Sequence, residues 1–163
     1  LQSLKPVCGR MDAIIMSEKP LVVVDFSHTP DSLEKALTTL KEIEHTGKLY
    51  CVFGCGGNRD NTKRPKMGNT AASIADYTFV TSDNPRFEEP EAIIEQIKAG
   101  IKSDNYIAIP DRKMAIKAAI DAAKVGDIIL IAGKGHETYQ EIKGVKYPFS
   151  DFDIANEYLL TDR

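Results

Sequence analysis

At 163 residues, with 42% apolar and 28% charged residues, the chain has the size and composition of one compact α/β domain. A chain of this length buries roughly 70% of its unfolded surface, so it needs neither disulfides nor a structural metal. A net charge of −3 argues against nonspecific nucleic-acid binding, and no apolar run approaches the ~20 residues of a membrane span.

The apolar runs Ala13–Met16 and Leu21–Asp25, separated by Ser-Glu-Lys-Pro, predict a hairpin. Thr29-Pro30 predicts a helix start, with Thr29 as N-cap, Pro30 at the first helical position, and Asp31 and Glu34 in the first turn. Leu33, Leu37, Leu40 and Ile43 share one face of that helix, His45 is expected at its solvated end, and Gly47 is expected to terminate it. Lys48–Phe53 reads as a strand, Gly54–Lys66 as a polar, glycine-rich loop and Met67–Ala75 as a helix. Then follow a strand at Tyr77–Val80, a helix at Glu91–Ile101, a strand at Tyr106–Ile109 and a helix at Arg112–Lys124. Asp127–Ala132 is a continuous apolar strand, as expected for one buried on both faces. A loop holding Gly133–Glu137 follows, and Ser150–Leu160 closes the chain as a helix capped by Ser150.

Strands therefore alternate with helices, the signature of a mostly parallel sheet covered on both faces, with an antiparallel N-terminal hairpin strand. In such folds ligands bind beyond the carboxyl ends of the strands. The chemically unusual segments, Phe26–Pro30, Cys55–Lys66, Ser82–Arg86 and Gly133–Tyr139, each follow a strand directly. The opposite loops, around Gly47, Ala75 and Gly126, are short and plain. The chain thus has one functional edge.

Asp83-Asn84-Pro85-Arg86 places a guanidinium and an amide on a turn stiffened by proline. The five fixed donors of Arg86 match a carboxylate bidentately, which predicts a small ligand carrying one. The loop 54–59 departs from a dinucleotide fingerprint: its sixth position is Arg59, and no acidic residue ends a following strand. A Walker A motif is absent. Arg59, Lys63, Arg64 and Lys66 predict a positive patch beside exposed glycine amides, the alternative being a solvated charged loop. His28 reads either as a donor to a nucleotide or carboxylate, or as a structural partner of Asp25. Gly133-Lys134-Gly135-His136-Glu137 allows close backbone approach to a ligand, with Glu137 able to accept from an ammonium; the alternative is a turn with surface charges. Cys8, Cys51 and Cys55 cannot all pair within the chain, form no Cys-x-x-Cys and no zinc spacing, and point to a reducing cytoplasm. Cys55, beside cations, is at most a mildly activated thiol.

Taken in order, Val-Val-Asp-Phe-Ser-His-Thr-Pro-Asp (residues 23–31), Val-Phe-Gly-Cys-Gly-Gly-Asn-Arg-Asp (52–60) with Lys-Arg-Pro (63–65), Asp-Asn-Pro-Arg (83–86) and Ala-Gly-Lys-Gly-His-Glu (132–137) resemble the C-terminal domain of the Mur ligases of peptidoglycan synthesis, in the branch that adds diaminopimelate. The resemblance covers essentially the whole chain. It implies a Rossmann-like domain, the third of a three-domain cytoplasmic enzyme, and the opening at Leu1 without a methionine suits a fragment. The absent domains would hold the UDP-N-acetylmuramoyl dipeptide, ATP and Mg2+. This domain would bring meso-diaminopimelate and would be inactive alone, with no catalytic residue, metal site, nucleic acid or membrane of its own.

By the same resemblance, Asp83, Asn84, Pro85 and Arg86 match the diaminopimelate recognition motif and Arg59 the basic-loop arginine. Gly133 and Glu137 match the positions that hold the ammonium end, while Asp25 and His28 match a nucleotide-facing segment. Phe26-Ser27 departs from the expected Tyr-Ala. Diaminopimelate differs from lysine by a second carboxylate, which the Arg86 fork would pair; with lysine that fork would be left unpaired. Two competing readings are a folate-glutamate ligase, disfavoured by Asp-Asn-Pro-Arg and the Gly-Lys-Gly-His-Glu loop, and a stand-alone binding module.

Overall fold

Apolar β-branched runs dominate the centre of the chain, and they pair with one another. In the computed structural model, which describes residues 11–43 and 46–161, six strands form one sheet. These are β1 (Asp12–Ile14), β2 (Leu21–Asp25), β3 (Leu49–Phe53), β4 (Tyr77–Val80), β5 (Tyr106–Ala108) and β6 (Ile128–Ala132), in the order β1-β2-β6-β3-β4-β5. β1 is antiparallel to β2, and the remaining pairings are parallel. β6 lies between β2 and β3, with Ile128 opposite both Leu21 and Leu49, and all five of its residues are buried. The expectations for Leu1, Cys8 and His45 fall outside the described residues.

Alternation along the strands splits the core into two layers. Val23, Cys51 and Leu130 face helices α1 (Pro30–Glu42), α2 (Lys63–Ile74) and α3 (Pro90–Lys98), meeting Leu37, Met67 and Ile97. Val22, Val52 and Ile129 face α4 (Arg112–Ala122) and α5 (Asp151–Leu160), meeting Ile116, Ile120 and Leu159. Each fully buried Leu or Ile contributes about 1.5–3 kcal/mol.

The helix starts follow their caps. Thr29 and Ser32 form a reciprocal capping box, Thr29 Oγ1 accepting from the Ser32 N–H at 3.1 Å and Ser32 Oγ from the Thr29 N–H at 3.1 Å. Of the two expected acids only Asp31 lies in the first turn. Ser150 caps α5 by accepting from the Asp153 N–H.

Three departures from expectation are larger than a shifted helix or strand end of one to three residues. α1 ends at Glu42, where Ile43 turns extended and its N–H returns to the Leu40 carbonyl. Gly47 does not end it; a Cβ there would stand 1.9 Å from Asp127 Oδ1, so it serves the neighbouring loop. α2 begins four residues early, at Lys63, because Pro65 falls in its first turn, where a missing N–H costs nothing. A second antiparallel hairpin, β7 (Tyr139–Ile142) and β8 (Val145–Pro148), follows β6 within what was expected to be loop. Its turn residues Lys143 and Gly144 both have positive φ, +52° and +81°.

Candidate functional site

β3 is followed by α2 on one face of the sheet, whereas β6 leads to α5 on the other. The loops leaving β3 and β6 therefore diverge and leave a crevice at their carboxyl ends. A cleft of about 520 Å³ opens there, bordered by segments following β2, β3, β4 and β6.

Asp83–Arg86 forms the wall after β4. Arg86 has φ +54°, a left-handed conformation uncommon outside glycine, asparagine and aspartate. The β7–β8 hairpin holds it there: the Arg86 N–H donates to the Glu141 carbonyl at 3.0 Å, and the Lys143 N–H to the Arg86 carbonyl at 2.7 Å. The guanidinium donates through Nη1 to the Gly57 carbonyl at 2.9 Å, and its Nε lies 3.3 Å from Glu141 Oε1. The Gln140 amide donates to the Asp83 carbonyl at 2.7 Å. Two glycines permit the closeness of the walls. A Cβ on Gly57 would stand 1.8 Å from the Pro85 carbonyl, and one on Gly133 (φ +118°) 2.6 Å from Asp83 Oδ2.

Beneath this wall lies Lys134, a fully buried ammonium. It donates to Asn84 Oδ1 at 2.7 Å and to Glu137 Oε1 at 3.0 Å, and sits 5.6 Å from the centre of the Tyr139 ring. Asn84 Nδ2 donates in turn to Glu137 Oε1 at 3.2 Å. Glu137 is thus held by two donors, both on Oε1.

Asp83 is 8% exposed, and its carboxylate has no hydrogen bond or ion pair among the described residues. Burial pushes its pKa up, opposed by the Arg112 and Lys134 charges. A carboxylate that opens onto a cleft suits an ammonium ligand. The cleft is therefore lined by a cationic fork, Arg86, and by two carboxylates, Asp83 and Glu137, a lining suited to a zwitterion.

Two buried arginines brace the cleft from behind. Arg112 pairs bidentately with Asp151, Nε to Oδ1 at 2.8 Å and Nη2 to Oδ2 at 2.7 Å, both side chains wholly buried. It also donates to the Ser82 and Ala132 carbonyls, at 2.9 and 3.1 Å, the residues just before Asp83 and Gly133. Burial opposes its charge, but Asp151 outweighs that and holds its pKa above the usual arginine range. Arg64 is likewise fully buried, donating to Glu88, Gln96 and the Gly56 carbonyl. The Arg64 hydrogen bonds, with the Asn58 N–H, lower the Glu88 pKa to about 2.

Seven of the nine expected residues line the cleft: His28, Arg59, Asp83, Asn84, Arg86, Gly133 and Glu137. Pro85 is not among the lining residues; it is buried, with its carbonyl against Gly57. Asp25 also does not reach the cleft. Its carboxylate accepts from the Met11 N–H and from the Ser27 N–H and hydroxyl, which organises the turn after β2. His28 does not partner Asp25: Nδ1 bonds the Phe26 carbonyl at 2.9 Å, and the ring is exposed. The positive patch shrinks, because Arg64 faces inward; Arg59 and Lys63 remain at the cleft. Cys55 is not an activated thiol, since burial pushes its pKa up to about 12. The expected surface charge at Lys134 is instead interior.

Reading the sequence missed Lys134, Arg112, Gln140 and Glu141. For the last two a signal existed, Lys143-Gly144 between Tyr-Gln-Glu-Ile and Val-Lys-Tyr-Pro.

The chain is similar to known proteins over nearly its whole length. The chain is 55% identical over 162 residues to the UDP-N-acetylmuramoyl-L-alanyl-D-glutamate–2,6-diaminopimelate ligase of Neisseria meningitidis serogroup A, covering 99% of this chain and 33% of the relative. It is 54% identical to the ligase of the same name from Aquifex aeolicus, covering 94% of this chain and 32% of the relative. A solved structure of a ligase of that name superposes with a TM-score of 0.87 at 46% identity, over 96% of this chain and 32% of that one. A bifunctional folylpolyglutamate synthase/dihydrofolate synthase from Yersinia pestis, at 20% identity and a TM-score of 0.59, covering 93% and 30% of the two chains, shares the fold. The chain spans about a third of the length of the curated relatives it matches. A model of the Mur ligase, glutamate ligase domain matches residues 9–135, most of the sequence, and the chain belongs to that family.

Proposed function

We propose that this chain is the amino-acid-presenting domain of a three-domain, ATP-dependent cytoplasmic ligase that joins meso-diaminopimelate to UDP-N-acetylmuramoyl-L-alanyl-D-glutamate in peptidoglycan synthesis. The observation that carries the reading is that Arg86, Asp83 and Glu137 line one cleft. In this reading Arg86, with Arg59 at the rim, pairs a carboxylate of the ligand. Asp83 and Glu137 accept from its ammonium groups, and Asn84 and the backbone around Gly133 fix its register.

ATP supplies activation of the dipeptide carboxylate as an acyl phosphate. The sequence has no Walker A motif, so this domain does not hold that nucleotide in the P-loop manner. Among the described residues no three His, Cys, Asp or Glu side chains are grouped to hold a metal. Both groups are assigned to the central domain, with His28 the residue here that could face the nucleotide. The contribution of this domain is positioning. Holding the amine about 3 Å from the activated carbonyl turns an encounter of two solutes into a step within one complex. The amine nitrogen bonds to the carbonyl carbon, the phosphate leaves, and the amine proton passes to solvent or to the departing phosphate. Among the described residues no helix is long and apolar enough to cross a membrane.

The test is R86A in the full-length ligase. The KM for meso-diaminopimelate is expected to rise about 10²-fold, the loss of a charge-assisted bidentate pair, with kcat less affected. An unchanged KM, or calorimetric preference of the wild-type ligase for lysine over meso-diaminopimelate, overturns the reading.

A further inference from the structure

One residue outside the expected set touches the recognition turn in three ways. Glu141, in β7, donates its N–H to Asn84 Oδ1 at 3.0 Å, accepts the Arg86 N–H at its carbonyl, and sets its carboxylate 3.3 Å from Arg86 Nε. Its neighbours extend the grip, Ile142 by a parallel bridge to Arg86. Arginine carries a long, rotamer-rich side chain, and at position 86 it springs from a left-handed backbone that does not aim it by itself. Two fixed contacts do the aiming: the Gly57 carbonyl accepts from Nη1, and the Glu141 carboxylate lies 3.3 Å from Nε as its counter-charge. Both side chains are largely buried, at 16% and 23% exposure, so solvent screens the pair less than it would at the surface.

We propose that Glu141 is a positioning residue for Arg86, occupying the Nε side of the guanidinium so that the Nη edge is presented, already ordered, to the ligand carboxylate. This rests on the reading of Arg86 as the carboxylate-binding residue. Glu141 touches the ligand only through Arg86, and its effect is preorganisation. An ordered fork spares the immobilisation of one long side chain on binding, worth about three- to tenfold in affinity. The negative charge of Glu141 also works against a second carboxylate nearby, so geometry and charge pull in opposite directions and separate variants tell them apart.

In the full-length ligase, E141A is expected to raise the KM for meso-diaminopimelate about three- to tenfold, with kcat changing far less. E141Q keeps a polar side chain of the same length beside Nε without the charge, and is expected to restore KM to within about twofold of wild type. In an R86A background, E141A is expected to add less than about twofold, because it acts through Arg86. A residue that merely stabilised the hairpin would show the same effect with and without Arg86. Should E141A fail to fold, E141M keeps the side-chain length without the acceptor and reads the same quantity. An E141A (or E141M) KM at or below wild type, with R86A still impaired, overturns the assignment of Glu141 alone. An R86A enzyme with unchanged KM instead overturns the underlying reading of the cleft, and this one with it.

Discussion

Substituting Arg112 by methionine tests whether the cleft is braced from inside. The change removes a fully buried guanidinium, leaves the Asp151 carboxylate buried without its cation, and strips one donor each from the Ser82 and Ala132 carbonyls. Losing one partner of a buried ion pair costs about 3–5 kcal/mol. The low end applies, because Asp151 is the first residue of α5 and the helix N-terminus still favours its charge. The two carbonyls add about 1 kcal/mol each, for a sum of about 5 kcal/mol. That is a large share of the 5–15 kcal/mol typical of a domain, and for a chain of this size corresponds to a fall in Tm of about 10–20 °C. Urea denaturation followed by circular dichroism, for R112M, D151L and the double variant, is the assay. The double variant is expected to be more stable than the sum of the single losses by about 3 kcal/mol, since it removes both charges together. An R112M loss below about 1 kcal/mol, or additive single losses, would refute the reasoning.

Two further outcomes follow from burial and charge. Burial raises Cys51 and Cys55 to about 12, so in a C8S variant at pH 8 neither is expected to react with an aromatic disulfide reagent until the chain is unfolded. Stoichiometric labelling of the native chain would contradict the buried geometry. The Glu88 pKa, lowered from 4.5 to about 2, means that ionised Glu88 adds stability above pH 4.5, and that this is lost as pH falls through about 2. The Tm of E88Q is accordingly expected to lie several degrees below wild type at pH 7, from an Arg64 left without its counter-charge, with the gap closing toward pH 2. A gap independent of pH would show that charge is not what holds Arg64.

The fold was legible where burial leaves a periodic or continuous apolar trace. Ile128–Ala132 reads directly as a central strand, Thr29-Pro30 as a helix start, and Tyr77–Val80 matches its strand residue for residue. The clustering of unusual loops at one sheet edge was legible too, because a parallel sheet brings its strand ends together. Interior cations were not. Arg64, Arg112 and Lys134 look like surface residues in sequence, and what makes them interior is a partner such as Asp151, 39 positions away. The β7–β8 hairpin escaped for a related reason. Its strands are half-buried or exposed, so Tyr139–Ile142 and Val145–Pro148 carry little apolar pattern, and the turn uses lysine where asparagine or aspartate is the stronger signal.

The bridge between Arg86 and the hairpin is made of main-chain hydrogen bonds, which are indifferent to the side chains they carry. The frame of the cleft and the chemistry it displays are therefore separable. Side chains at positions 86 and 141 are interchangeable parts on a fixed mount, limited at 86 by a left-handed backbone that welcomes glycine or asparagine and resists β-branched residues. On the proposed reading, exchanging two side chains would redirect which ligand the cleft accepts while the sheet, the helices and the hairpin stay as they are.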